Sequence, residues 1–122
     1  MRMFIAFAAF AASACVTPSP RPTVADSYRA LGQEPGWNVT IDGGRIDYVG
    51  DYGETRITVP APEPIIAING EVYQTERLQV HISHGRCNDA MSGWGYADTV
   101  MVIADGQTFH GCGGERRPDW DV

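Results

Sequence analysis

From Tyr28 onward the chain alternates apolar and polar residues at every second position, and glycine-containing pairs cut the alternation at short intervals. Successive side chains of an extended strand point to opposite faces, so this period builds half-buried strands, whereas a helix would scatter the same residues round its circumference. In residues 37–42, Trp37, Val39 and Ile41 share one face while Asn38, Thr40 and Asp42 share the other, and Gly43-Gly44 then turns the chain into a second run, 45–50. That is a hairpin signal. Residues 54–60 set Ile57 and Val59 against Arg56 and Thr58, and residues 78–84 set Leu78, Val80 and Ile82 against Gln79, His81 and Ser83. Asp105-Gly106 between two strand-like runs is the strongest hairpin signal, and Asn69-Gly70 marks another turn. Pro60, Pro62 and Pro64 cannot donate to a ladder, so they belong to a loop or a protected edge. The pattern predicts an all-β fold, a small antiparallel β-barrel or sandwich of about seven to nine strands.

The N-terminus fixes an expected address. Met1 and Arg2 precede an apolar run from Met3 to Ala14 that is far shorter than the roughly 20 residues of a membrane-spanning helix, as in an export signal. Ala12, Ser13 and Ala14 directly before Cys15 resemble the lipobox of bacterial lipoproteins, with alanine where leucine is more usual. The resemblance implies a signal peptide over 1–14, acylation of Cys15, and, with Val16 rather than aspartate next, an outer-membrane lipoprotein facing the periplasm. Residues 15–26, rich in Pro and small polar residues, read as a lipid-anchored spacer. Residues 27–116 read as the β-domain and 117–122 as a tail.

Without Arg2 the chain carries eight arginines, no lysine and fifteen carboxylates, a net charge of −7. Such a balance argues against a nucleic-acid partner and towards a basic protein or another envelope component, in addition to the membrane reached through the anchor. Nothing in the sequence calls for a cofactor.

Cys87 and Cys112 are the cysteines that remain if Cys15 is acylated, and an exported domain is where disulfides form and persist. A bridge between them would strengthen a core that is small for want of residues. The competing reading is zinc, since His84, Cys87, His110 and Cys112 offer two nitrogens and two sulfurs. Oxidised cysteines cannot be thiolate ligands, so the disulfide and the metal exclude each other, and the disulfide is the expectation.

The stretch 87–97, CNDAMSGWGYA, carries all but one of the residues of the candidate binding surface, Glu34, Asp89, Met91, Ser92, Trp94 and Tyr96. Extended, it would place Ser92, Trp94 and Tyr96 on one face and leave Gly93, Gly95 and Ala97 as a bare face open to a ligand or another backbone. Met91 and the two aromatics are anchor-type residues. Equally, Trp94 and Tyr96 could close one end of a barrel. Ser92, Asp89 and His81 or His84 hold the ingredients of a nucleophile, orienter and base, but no strand-to-helix elbow accompanies them. Glu34 and Asp89 could serve as a carboxylate pair for glycoside hydrolysis. In the structural reading, Pro35 keeps Glu34 extended and paired with Arg29 or Arg86, and Asp89 caps its own turn.

Three segments, ALGQEPGWNVTIDG (30–43), RCNDAMSGWGYADT (86–99) and FHGCGG (109–114), together resemble a family of small bacterial envelope lipoproteins and membrane-associated proteins. That family has a Gly-x-Glu-Pro-x-Trp start, a Cys-x-Asp-x-Met-Ser-x-x-x-Tyr centre and a closing Gly-Cys, and occurs alongside META-type (HslJ-like) and lysozyme-inhibitor-like domains. It carries no established biochemical activity, so the resemblance implies fold and address. Within SGWGY there is also a likeness to the Ser-Gly-x-x-Tyr loop of membrane-bound inhibitors of c-type lysozyme, whose second loop motif is not found. The expected function is a non-enzymatic binding or accessory module of the envelope, with lysozyme inhibition and hydrolysis by Glu34 and Asp89 as rivals.

Overall fold

A computed structural model of the protein describes residues 27–122. Residues 1–14, Cys15 and residues 16–26, read above as signal segment, acylation site and spacer, lie outside the described residues. Nine antiparallel strands form one curled sheet, a half-barrel: β1 (Tyr28–Gly32), β2 (Trp37–Asp42), β3 (Arg45–Gly50), β4 (Thr55–Pro60), β5 (Ile65–Ala67), β6 (Gly70–Gln74), β7 (Leu78–Asn88), β8 (Gly95–Ala104) and β9 (Gln107–Arg116). Their spatial order is β4-β3-β2-β1-β9-β8-β7-β6-β5. Two meanders are thus welded where the first strand pairs with the last, Leu31 opposite Cys112 and Ala30 opposite Gly113.

Registers follow the alternation read from the sequence. Val39 lies opposite Tyr48, which lies opposite Ile57, while Val80 lies opposite Val102 and Ile82 opposite Val100. All of these are buried, and with Trp37, Ile41, Ile46, Leu78, Ala30 and Ala104 they make one core. Each fully buried aliphatic side chain of this kind stabilises by about 1.5–3 kcal/mol. Aromatic rings bridge the two meanders: Trp37 stacks on Tyr48 at 6.4 Å, and Tyr48 meets Phe109 of β9 at 6.3 Å.

The turns are chemically apt. Gly43 and Gly44 both have positive φ, as do Asp105 and Gly106, so both hairpins use the two-residue turn whose twist matches the strands. Pro60 ends β4, an edge strand, and residues 61–64 run from there to β5 at the opposite edge. The Cys87–Cys112 disulfide, closed across 25 residues, ties β7 to β9. Bridging a loop of that length restricts the unfolded chain by about 3–4 kcal/mol on the loop-entropy model. Its sulfurs are therefore not zinc ligands, and among the described residues no group of three or more His, Cys, Asp and Glu side chains converges as a metal site.

Candidate functional site

Residues 89–94 do not continue β7. Pairing stops at Asn88 opposite Gly95, and between them the chain folds into a tight loop. Asp89 ties it: its carboxylate accepts from the Ser92 amide at 2.9 Å and the Ser92 hydroxyl at 2.8 Å, its carbonyl accepts from Gly93, and its amide donates to the Trp94 carbonyl. Asp89 is buried. Burial pushes its carboxyl up, but the hydrogen bonds from the Ser92 amide and hydroxyl, with smaller ones from Met91 and Gln33, outweigh that and hold it below the usual carboxylate range. It is an ionised turn cap, as the structural reading of the sequence expected.

The extended face expected for Ser92, Trp94 and Tyr96 is corrected. Ser92 lies in the turn, Gly93 takes a positive φ of 72°, and the strand begins only at Gly95. An aspartate three residues before a serine competes for the backbone amides that a ladder would need, and it wins here. Nor is the glycine face bare. A short 3-10 turn, Pro118–Trp120, brings the C-terminal segment back onto it. The Arg117 amide donates to the Gly95 carbonyl at 2.8 Å, the Val122 amide donates to the Gly93 carbonyl at 3.0 Å, and the Gly95 amide donates to the Asp121 carboxylate at 2.8 Å. A Cβ on Gly95 would fall 2.7 Å from the Arg117 carbonyl oxygen, so only glycine admits this approach.

That segment carries the residues that the sequence reading passed over. Arg116 makes a two-pronged ion pair with Asp121 and lies over the Trp94 ring at 4.5 Å and the Tyr96 ring at 5.7 Å. Trp120 is flanked by Arg117 at 4.4 Å and Arg86 at 5.6 Å, and its carbonyl accepts from Arg86 and from the Asn88 amide group. Three arginines and three aromatics therefore interleave at one end of the sheet. The legible signal was ERRPDW at 115–120, two guanidiniums beside an indole, which the boundary drawn after residue 116 splits between domain and tail.

Trp94 keeps 51 % of its surface exposed and does not close a barrel end over the core, whereas Tyr96 is half-buried; Met91 is exposed, and the indole that does fill the core is Trp37. The Trp37 Nε1 has no hydrogen-bond partner among the described residues. Glu34 makes no side-chain hydrogen bond or ion pair to this cluster among the described residues. Four residues, 33–36, reverse the chain between β1 and β2, and Glu34 is exposed with φ 55°, not extended. It has no ion pair with Arg29 or Arg86 among the described residues; Gln33, not Glu34, is the neighbour that reaches Asp89.

A second polar cluster was also missed. At a bulge shared by β7 and β8, His84 Nδ1 lies 2.8 Å from Asp98 and its Nε2 lies 2.9 Å from Glu71. The Tyr28 hydroxyl donates to the other Asp98 oxygen at 2.8 Å. The Asp98 hydrogen bond raises the His84 pKa, desolvation opposes it, and the Glu71 hydrogen bond adds to the rise, while burial, then Asp98, raises that of Tyr28. Comparison of the chain with protein-family models, curated proteins and solved structures found no match to any of them.

Proposed function

We propose that the protein is a lipid-anchored binding module of the bacterial envelope, presenting Trp94 and Met91 to a partner and performing no chemistry of its own. The observation that carries this reading is the exposed Trp94 ring held on a turn knotted by Asp89 and stacked by an Arg116 that Asp121 fixes in place. Rigid, preorganised aromatics beside arginine are what recognition surfaces concentrate, because little side-chain entropy is lost when they are covered.

The local charge refines the partner. Although the chain is acidic as a whole, Arg86, Arg116 and Arg117 converge here, and Arg86 has no carboxylate partner among the described residues. A partner seated on this end offers an apolar or ring face to Trp94 and carboxylate or other acceptor groups to the guanidiniums. The test is capture from envelope extracts with the chain carrying Cys15→Ser, against Trp94→Ala and Arg86→Ala in the same background. The expected result is a component retained by the parent and lost from both variants, each of which remains folded at the assay temperature. Retention of the same set by all three sinks the reading.

A further inference from the structure

The two edges of the half-barrel are finished differently. β4 shows solvent Arg56, Thr58 and Pro60, the polar and proline-bearing finish that keeps an edge from pairing. β5 shows isoleucine: Ile65 is 55 % exposed, Ile66 77 %, and Ile68, at the tip of the turn into β6, is fully exposed. Beside the tip lies a shallow depression of about 560 Å³ lined mainly by Ala67, Ile68, Val72, Ile82 and His81. From Ile65 to Gln74 the sole formal charge is Glu71, and its carboxylate is turned onto His84. The hairpin is an uncharged apolar tip on an acidic protein.

The exit of the chain bears on what could cover it. Tyr28, where the described residues leave the sheet towards Cys15, is joined to that tip through consecutive short hydrogen bonds: Tyr28 to Asp98, Asp98 to His84, and His84 to Glu71. The His84 amide donates to the Asn69 carbonyl at 2.8 Å, and the Asn69 side chain donates to the His84 carbonyl at 2.7 Å. The start of β1 and the tip of the β5–β6 hairpin therefore lie at the same end of the sheet. Residues 16–26 span at most about 40 Å when fully extended, so a lipid on Cys15 would hold the domain within that distance of the surface, tethered from this end. A second copy of the chain is a poor occupant, because pairing three edge residues covers far less than the ~1,200 Å² of a stable interface, and like net charges oppose it.

We propose that the β5–β6 hairpin, through Ile65, Ile66 and Ile68, dips into the lipid surface to which the chain is anchored and so sets the orientation of the domain on it. The proposal rests on the lipid-anchor reading. Three isoleucines alone give weak partitioning, and the tether supplies the effective concentration that makes them count. The test is Ile68→Trp in the acylated chain on phosphatidylcholine vesicles with brominated acyl chains, the signal of the parent chain subtracted. Expected is several-fold stronger quenching of the added indole than on unbrominated vesicles, lost when Ile65 and Ile66 are changed to Asp. Both are exposed, so these variants keep the fold, which circular dichroism checks. Vesicle-bound protein whose added indole is unquenched overturns the proposal. If mass spectrometry finds no acyl group on Cys15, the anchor reading fails and the proposal, which needs the tether, is overturned with it, an outcome distinct from an acylated, vesicle-bound chain whose indole is unquenched. A lipid-free dimer abolished by Ile66→Asp would also overturn it, by giving the patch to a second copy.

Discussion

Trp94 keeps half of its surface in solvent and rests on a guanidinium, while Trp37 is 4 % exposed among Val39, Tyr48 and the backbone of β9. The sequence alternation placed Trp37 on an inward face because its neighbours at 39 and 41 are aliphatic; no such neighbours surround Trp94, and its surroundings come from residues 116–122. The two should respond oppositely to truncation. Trp37→Ala removes a core indole and should cost about 3–5 kcal/mol, whereas Trp94→Ala loses one cation–π contact, about 0.5–1 kcal/mol at an exposed site. Urea melts of both variants measure this, and equal losses would mean that Trp94 belongs to the core. His84 supplies a second residue-scale outcome. Its pKa is raised by the Asp98 and Glu71 carboxylates, so the stability it contributes is fully present below the ordinary histidine value of about 6.5 and is lost as pH rises through the higher folded value. The excess stability of the wild type over His84→Gln should therefore be larger at low pH than at high pH across that window. An excess that grows with pH would mean that the imidazole is held neutral. No spacing rule could announce this site, because Tyr28, Glu71, His84 and Asp98 meet only after five strands, β1, β9, β8, β7 and β6, have paired.

At the scale of elements, the hairpins at Gly43-Gly44 and Asp105-Gly106 and the inward faces of β2, β4 and β7 were legible, since local turn chemistry and period two are written in consecutive residues. The fate of residues 117–122 was not. A 3-10 turn of three residues has no periodicity to read, and its value lies in capping groups elsewhere: the carbonyls of Gly93 and Gly95 and the amide of Gly95. Gly95 tests whether this segment is part of the fold. Its missing Cβ makes room for the Arg117 carbonyl and the Trp120 side chain, so Gly95→Val must push the segment off or strain β8. Overpacking of this kind should cost about 1–3 kcal/mol. The same variant in a chain ending at Arg116 should show a much smaller loss, because nothing remains there to be displaced. Additive losses in the double variant would mean that Gly95 is constrained by something other than the C-terminal segment.

Across the whole molecule, strand number and class follow from local pattern, but strand order does not, because the weld between β1 and β9 joins the two ends of the domain and depends on long-range closure that no short window encodes. That weld leaves two free edges, and it brings the exit towards Cys15 to the end that also carries the isoleucine tip. Address and architecture are coupled by this placement. On the lipid-anchor reading, acyl chains contribute about 0.8 kcal/mol per buried methylene, far more than three isoleucines can, so the anchor decides whether the protein is on a membrane and the hairpin decides how it stands there. Cys15→Ser should move the protein from the membrane fraction to the soluble fraction, or leave it uncleaved, without changing its disulfide or its melting temperature. Metabolic labelling with a radioactive fatty acid measures the first step. Label on the wild type and none on the variant is the expected outcome, and label that persists on Cys15→Ser would place the acyl group, and with it the tether length that orients the hairpin, somewhere else on the chain.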